Sequence, residues 1–126
     1  MGPLPAWLME NEKAALNALV TALDERYGAE ILSVRLFGSK ARGDFRPHSD
    51  LDVLVLATHD DWRFRQAISF MAADISLACD VVLALKVVSR ARWEVLDREG
   101  FALARNVRQE GVVLAGEAAC PGGREA

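Results

Sequence analysis

Two runs of β-forming residues, Ile31–Phe37 and Leu51–Ala57, are joined by a connection too short to hold a crossover helix, and this constrains the fold most. Strands joined so closely are antiparallel neighbours. The sheet is therefore expected to be mixed rather than doubly wound and parallel. The connection also carries chemistry: it opens on Gly38-Ser39 and, after ten residues, meets Asp50-Leu51-Asp52.

Residues two apart on a strand point the same way, so Asp50 and Asp52 project side by side, about 7 Å apart at the backbone. Two carboxylates held that close repel each other unless a cation lies between them. Hard divalent cations take oxygen ligands, and Mg²⁺ commonly binds one or two protein carboxylates together with substrate phosphates. The preceding loop supplies what a phosphate needs: a glycine for close backbone approach, the Ser39 hydroxyl, and the cations Lys40 and Arg42. Lys40 and Arg42 read equally as ordinary loop cations, and Arg42 is the better phosphate ligand of the two. The constellation points to a metal–nucleoside triphosphate site.

The rest of the chain supplies a frame for that site. A helical pattern runs to Tyr27 on Leu16, Leu19, Val20 and Leu23, with Gly28 as its stop. A second helix begins near Asp60, with Thr58 or Asp60 available as its cap. Its inner stripe is Phe64, Ala67, Ile68, Met71, Ile75 and Ala78. Trp62, Phe70 and Leu77 fall off that stripe, which points either to an interface (a homodimer among the options) or to a helix buried on two sides. Asp80 then opens a third, strongly apolar strand, VVLALKVV. Two short helical pieces broken at Gly100 follow, then GVVLAG and a tail.

Chemistry with two metal ions about 3.5–4 Å apart needs more than two ligands. Asp80 is the candidate third carboxylate if its strand neighbours the second one; the alternative is a helix-to-strand junction residue. On the first reading Asp50 and Asp52 hold both ions, and Asp80 ligates the ion that activates an attacking hydroxyl. His48 reads as a turn residue and His59-Asp60 as a helix start. The arginines at 90, 92, 98, 105 and 108 read as a solvated helix pair balanced by Glu94, Asp97, Glu99 and Glu110.

At 126 residues the chain fits one domain, placed at residues 1–117, with residues 118–126 expected to be a disordered tail. A composition of 52% hydrophobic and 26% charged residues suits a folded core. The net charge of −3, with no block of like charges, argues against nucleic acid held by backbone electrostatics. Cys79 and Cys120 match neither a metal spacing nor a disulfide framework. No signal peptide or membrane-length apolar run is evident, so a cytoplasmic protein is expected.

The segment GSKARGDFRPHSDLDVLV resembles the signature of the polymerase-β-like nucleotidyltransferase superfamily: glycine-serine, a spacer, DxD, and a distant third aspartate. Within it, GSKARG and SDLDVLV are similar to the minimal nucleotidyltransferases (MNT), over roughly residues 30–88 with a weaker echo in EGVVLAG. The resemblance implies an α/β (α+β) fold with a mixed sheet flanked by helices. It also implies ATP and Mg²⁺, two ions among them, as the substrate pair. Many members of that family act as antitoxins beside a HEPN ribonuclease toxin, and some transfer AMP onto it. The implied roles are Asp50, Asp52 and Asp80 as catalytic and metal-binding residues, and Gly38, Ser39, Arg42 and Lys40 as nucleotide-binding residues. Two other readings remain at this point. One is a non-catalytic antitoxin or assembly subunit; the other is a small-molecule nucleotidyltransferase, for which a chain of this size leaves little room to build an acceptor pocket.

Overall fold

The computed structural model describes residues 4–46 and 49–116. His48 and the tail from residue 117 onward, with Cys120, lie outside the described residues. The elements run α1 (Glu10–Tyr27), a 3-10 turn (Gly28–Glu30), β1 (Ile31–Phe37), α2 (Ser39–Arg42) and β2 (Leu51–Ala57). After these come α3 (Trp62–Cys79), β3 (Leu83–Ser89), α4 (Arg90–Arg98), α5 (Ala102–Glu110) and β4 (Val112–Gly116).

The short β1–β2 connection gives the expected antiparallel pair, Leu36 opposite Val53 and Phe37 opposite Asp52. The α3 crossover returns β3 parallel to β2, with Asp52 beside Ala84. β4 adds antiparallel to the other side of β1, so the sheet order is β3-β2-β1-β4.

Alternation along the strands divides the interior into two cores. On one face Val34, Leu36, Val53 and Val55 pack with Leu16, Leu19 and Leu23 of α1 and Phe64, Ile68 and Met71 of α3. On the other face Leu54, Leu56 and Val88 meet Trp93 of α4 and Ala104 and Val107 of α5. Each fully buried Leu or Ile contributes about 1.5–3 kcal/mol by leaving water. Truncating the fully buried Ile68 to Ala is the kind of change that costs about 2–5 kcal/mol.

Several local expectations are corrected. The connection between β1 and β2 is not all loop, since its first residues form α2. α3 is capped by Asp61, whose carboxylate accepts from the Arg63 amide at 2.9 Å; Asp60 pairs instead with Arg92. Ala67 and Ala78 are exposed rather than on the inner stripe, and Ala72 is buried. Trp62, Phe70 and Leu77 stay in solvent, Leu77 at 84% exposure, so α3 is covered on one side only within this chain. Among the described residues no helix is long and apolar enough to cross a membrane.

Candidate active site

The β1–β2 register brings the motif together. Phe37 pairs with Asp52, so the turn that follows β1 sits against the start of β2. Gly38 has φ 79°, a left-handed conformation that glycine adopts freely, and a Cβ built there would overlap the Asp52 carboxylate. Only glycine lets the backbone pass this close to Asp52. Ser39 then opens α2, and Gly43, at φ 91°, closes it. A Cβ on Gly43 would come within 3.2 Å of the Trp7 ring. Trp7 also donates its indole N–H to the Lys40 carbonyl at 2.7 Å, so the chain before α1 fixes α2 from outside.

Asp52 lies on the same sheet face as Leu54 and Leu56, at the start of β2. It is half-buried, while Asp50 is exposed. Burial, then the Asp50 charge, pushes the Asp52 carboxyl above the ordinary carboxylate range, and Lys86 and Arg42 partly offset this. A half-desolvated carboxylate with a like-charged neighbour carries charge that needs compensation, and a divalent cation between the two supplies it. The donor set of two carboxylates, open to solvent on one side, fits a Mg²⁺ ion that shares its remaining ligands with phosphates and water.

Two expected members do not join this pair. Lys40 turns inward: only 3% exposed, its ammonium lies 2.6 Å from the Glu12 carboxylate and 4.0 Å from the centre of the Phe45 ring. The expectation that Lys40 holds a phosphate is thereby corrected, because its charge is spent on a buried ion pair. Asp80 does not open a strand. It is the left-handed cap of α3, at φ 58° and ψ 49°, its own amide donating to the Ser76 carbonyl and its carbonyl accepting from Asn11 at 3.3 Å. β3 begins at Leu83, and the residue beside Asp52 is Ala84, four positions further on. Among the described residues no three acidic, histidine or cysteine side chains converge to hold one ion. The expectation of a three-aspartate ligand set is corrected on that geometry, since the left-handed turn takes Asp80 off the strand.

Arg42 is placed beside the turn but is already engaged. Its Nε donates to Asp44 and its Nη1 to Glu110, at 3.0–3.1 Å in each case. Glu110 also accepts from the Gly38 amide at 2.8 Å. In the sequence Glu110 reads as one more charge balancing a helix surface; the role of balancing Arg108 falls to Asp97, 2.6 Å away. The missed signal was pairing of the GVVLAG strand with β1, which brings the end of α5 to the glycine-serine turn.

A small mixed sheet thus seats the glycine-serine turn against the DxD strand. The chain belongs to the nucleotidyltransferase domain family, whose sequence model matches residues 16–107. A protein of Methanocaldococcus jannaschii, named as a candidate protein adenylyltransferase, is 34% identical over 105 residues, covering 82% of this chain and 98% of that one. Two solved structures share the fold. One is a toxin–antitoxin with AMP-PNP, 24% identical, covering 82% of this chain and 74% of the other, with a TM-score of 0.57. The other is a tri-AMPylated Shewanella oneidensis HEPN toxin in complex with MNT antitoxin, 21% identical, covering 83% and 72%, with a TM-score of 0.53.

Proposed function

We propose that this nucleotidyltransferase is Mg²⁺-dependent and transfers AMP from ATP to a hydroxyl of a partner protein, a HEPN-type toxin. The observation that carries the reading is the contact of Gly38 with the Asp52 carboxylate, which sets a phosphate-sized turn against the two acids. The protein-adenylyltransferase name of the archaeal relative and the AMPylated toxin in the related complex support the choice of acceptor.

In this reading residues 1–117 act as one domain, and the work is divided among few groups. Asp50 and Asp52 would hold the ion that arrives with the triphosphate. Bound there, Mg²⁺ would supply charge neutralisation for the departing pyrophosphate. The Ser39 hydroxyl and the outer face of Arg42 hold the β- and γ-phosphates. An acceptor oxygen bonds to the α-phosphorus in line with the departing pyrophosphate. Asp50, the exposed member of the pair, is the carboxylate open to the acceptor's proton. A nucleophile positioned by its partner can supply several kcal/mol of the barrier, roughly 7–11 at best. The isolated chain should therefore turn over ATP slowly.

The test is to incubate the protein with ATP, Mg²⁺ and a HEPN-type toxin, followed by intact-mass spectrometry. The expected result is a partner heavier by one or more AMP units. One observation favours a second reading, a non-catalytic antitoxin: Asp80 does not join Asp50 and Asp52. A partner neutralised by stoichiometric binding with no gain in mass would decide for it.

A further inference from the structure

Glu110 ends α5, three residues past the segment that matches the family, yet its carboxylate reaches the glycine-serine turn. Its Oε2 accepts from the Gly38 amide at 2.8 Å, and both oxygens accept from Arg42 Nη1, at 3.0 and 3.1 Å. The Glu110 side chain is only 15% exposed, so its bond to the Gly38 amide is sheltered, while its charge-assisted bonds to the half-exposed Arg42 face solvent.

The strand register explains the contact. β1 pairs with β4 through Arg35–Val113 and Leu36–Val112, so continuing the ladder past Phe37 brings the end of α5 across from Gly38. There the chain leaves the sheet, and the Glu110 side chain takes the place of the next ladder carbonyl. The Gly38 amide therefore faces the β4 side of β1, whereas Asp52 pairs on the β2 side. Glu110 thus meets the turn from the β4 side, while its charge still adds to the repulsion felt at Asp52. One carboxylate fixes both ends of the turn, the backbone at Gly38 and the side chain at Arg42.

We propose that Glu110 is a positioning residue of the nucleotide site, fixing the Gly38–Arg42 turn and the Arg42 guanidinium for the triphosphate. The inference rests on the nucleotide reading of that turn.

Glu110→Ala and Glu110→Gln in the full chain test it, with Mg²⁺·ATP as the titrant in calorimetry and the Gly38 amide resonance as a local probe. Losing bonds to charged groups predicts an affinity about tenfold or more weaker in E110A. E110Q, which keeps an acceptor for the Gly38 amide, recovers part of that affinity and of the Gly38 shift. Arg42→Gln should add little to E110A, because the two act on one contact; additivity would speak for a merely structural Glu110. Unchanged affinity in both variants overturns the proposal. Tighter binding in E110A also overturns it, because Glu110 would then occupy the triphosphate's own seat. A wild-type protein that does not bind Mg²⁺·ATP at all brings down the nucleotide reading and the inference with it, whereas the first two outcomes leave that reading standing.

Discussion

The Lys40 ammonium lies 2.6 Å from the Glu12 carboxylate, and both side chains are almost completely withdrawn from water. Glu12 also accepts from the Met9 amide at 2.8 Å, so one carboxylate caps the start of α1 and neutralises a lysine of α2. The pair ties the first helix to the turn that carries Ser39. Breaking one side of such a pair leaves an uncompensated buried charge, and this sets its consequence.

Lys40→Met should destabilise the protein by about 3–5 kcal/mol, and the double variant with Glu12→Met should recover most of that loss. Denaturant melts of the two variants and the wild type check this. If Lys40 instead held phosphate, the single variant would lose Mg²⁺·ATP affinity with little loss of stability.

The raised carboxyl of Asp52 predicts how stability depends on pH. Its folded pKa lies above its unfolded value, because of burial first and the Asp50 charge second. Between those two values the folded state binds more protons, so stability falls as pH rises. The contribution is fully present below the unfolded carboxylate value of about 3.9 and is lost as pH rises through the folded one. In metal-free buffer Asp52→Asn should therefore melt higher than wild type at neutral pH, with the gap closing in acid. Mg²⁺ should raise the wild-type melting temperature and leave the variant unmoved. Parallel pH melts that never converge would contradict the assignment.

Asp80 offers a direct contrast. Asparagine tolerates the left-handed conformation, so Asp80→Asn should keep stability within about 0.5 kcal/mol. Its Mg²⁺·ATP affinity should match that of wild type. Asp80→Val places a β-branched residue at φ 58° and should cost on the order of 1–2 kcal/mol. A large loss of nucleotide binding in D80N would restore Asp80 as a ligand.

Gly38→Ala forces a Cβ into the Asp52 carboxylate at a backbone angle that disfavours alanine. Strain of this kind costs on the order of 1–3 kcal/mol, so the variant should still fold but move Asp52. Chemical denaturation and Mg²⁺·ATP calorimetry should show a modest stability loss beside a severe loss of affinity. Wild-type affinity in G38A would mean that the close approach is incidental.

The sequence by itself determined the first two strands and the antiparallel link that seats the motif. β1, β2 and the end of α1 at Tyr27 fall where β-forming runs, helical spacing and Gly28 place them, because those signals are local. The short link between β1 and β2 also sufficed to set Gly38 against Asp52, since antiparallel pairing follows from length alone. What each polar side chain does was decided elsewhere. Lys40 and Arg42, both in α2, look alike in the sequence, yet one is buried on Glu12 and the other stays partly in solvent, because α1 brings a buried carboxylate to the inward side of α2. Asp80 precedes an apolar run that reads as strand, but a left-handed residue ends α3 there and postpones β3 to Leu83. Glu110 reaches Gly38 across a separation of 72 residues only because β4 returns alongside β1. Periodicity reports which residues face a common side; only long-range packing selects the neighbour that side will meet.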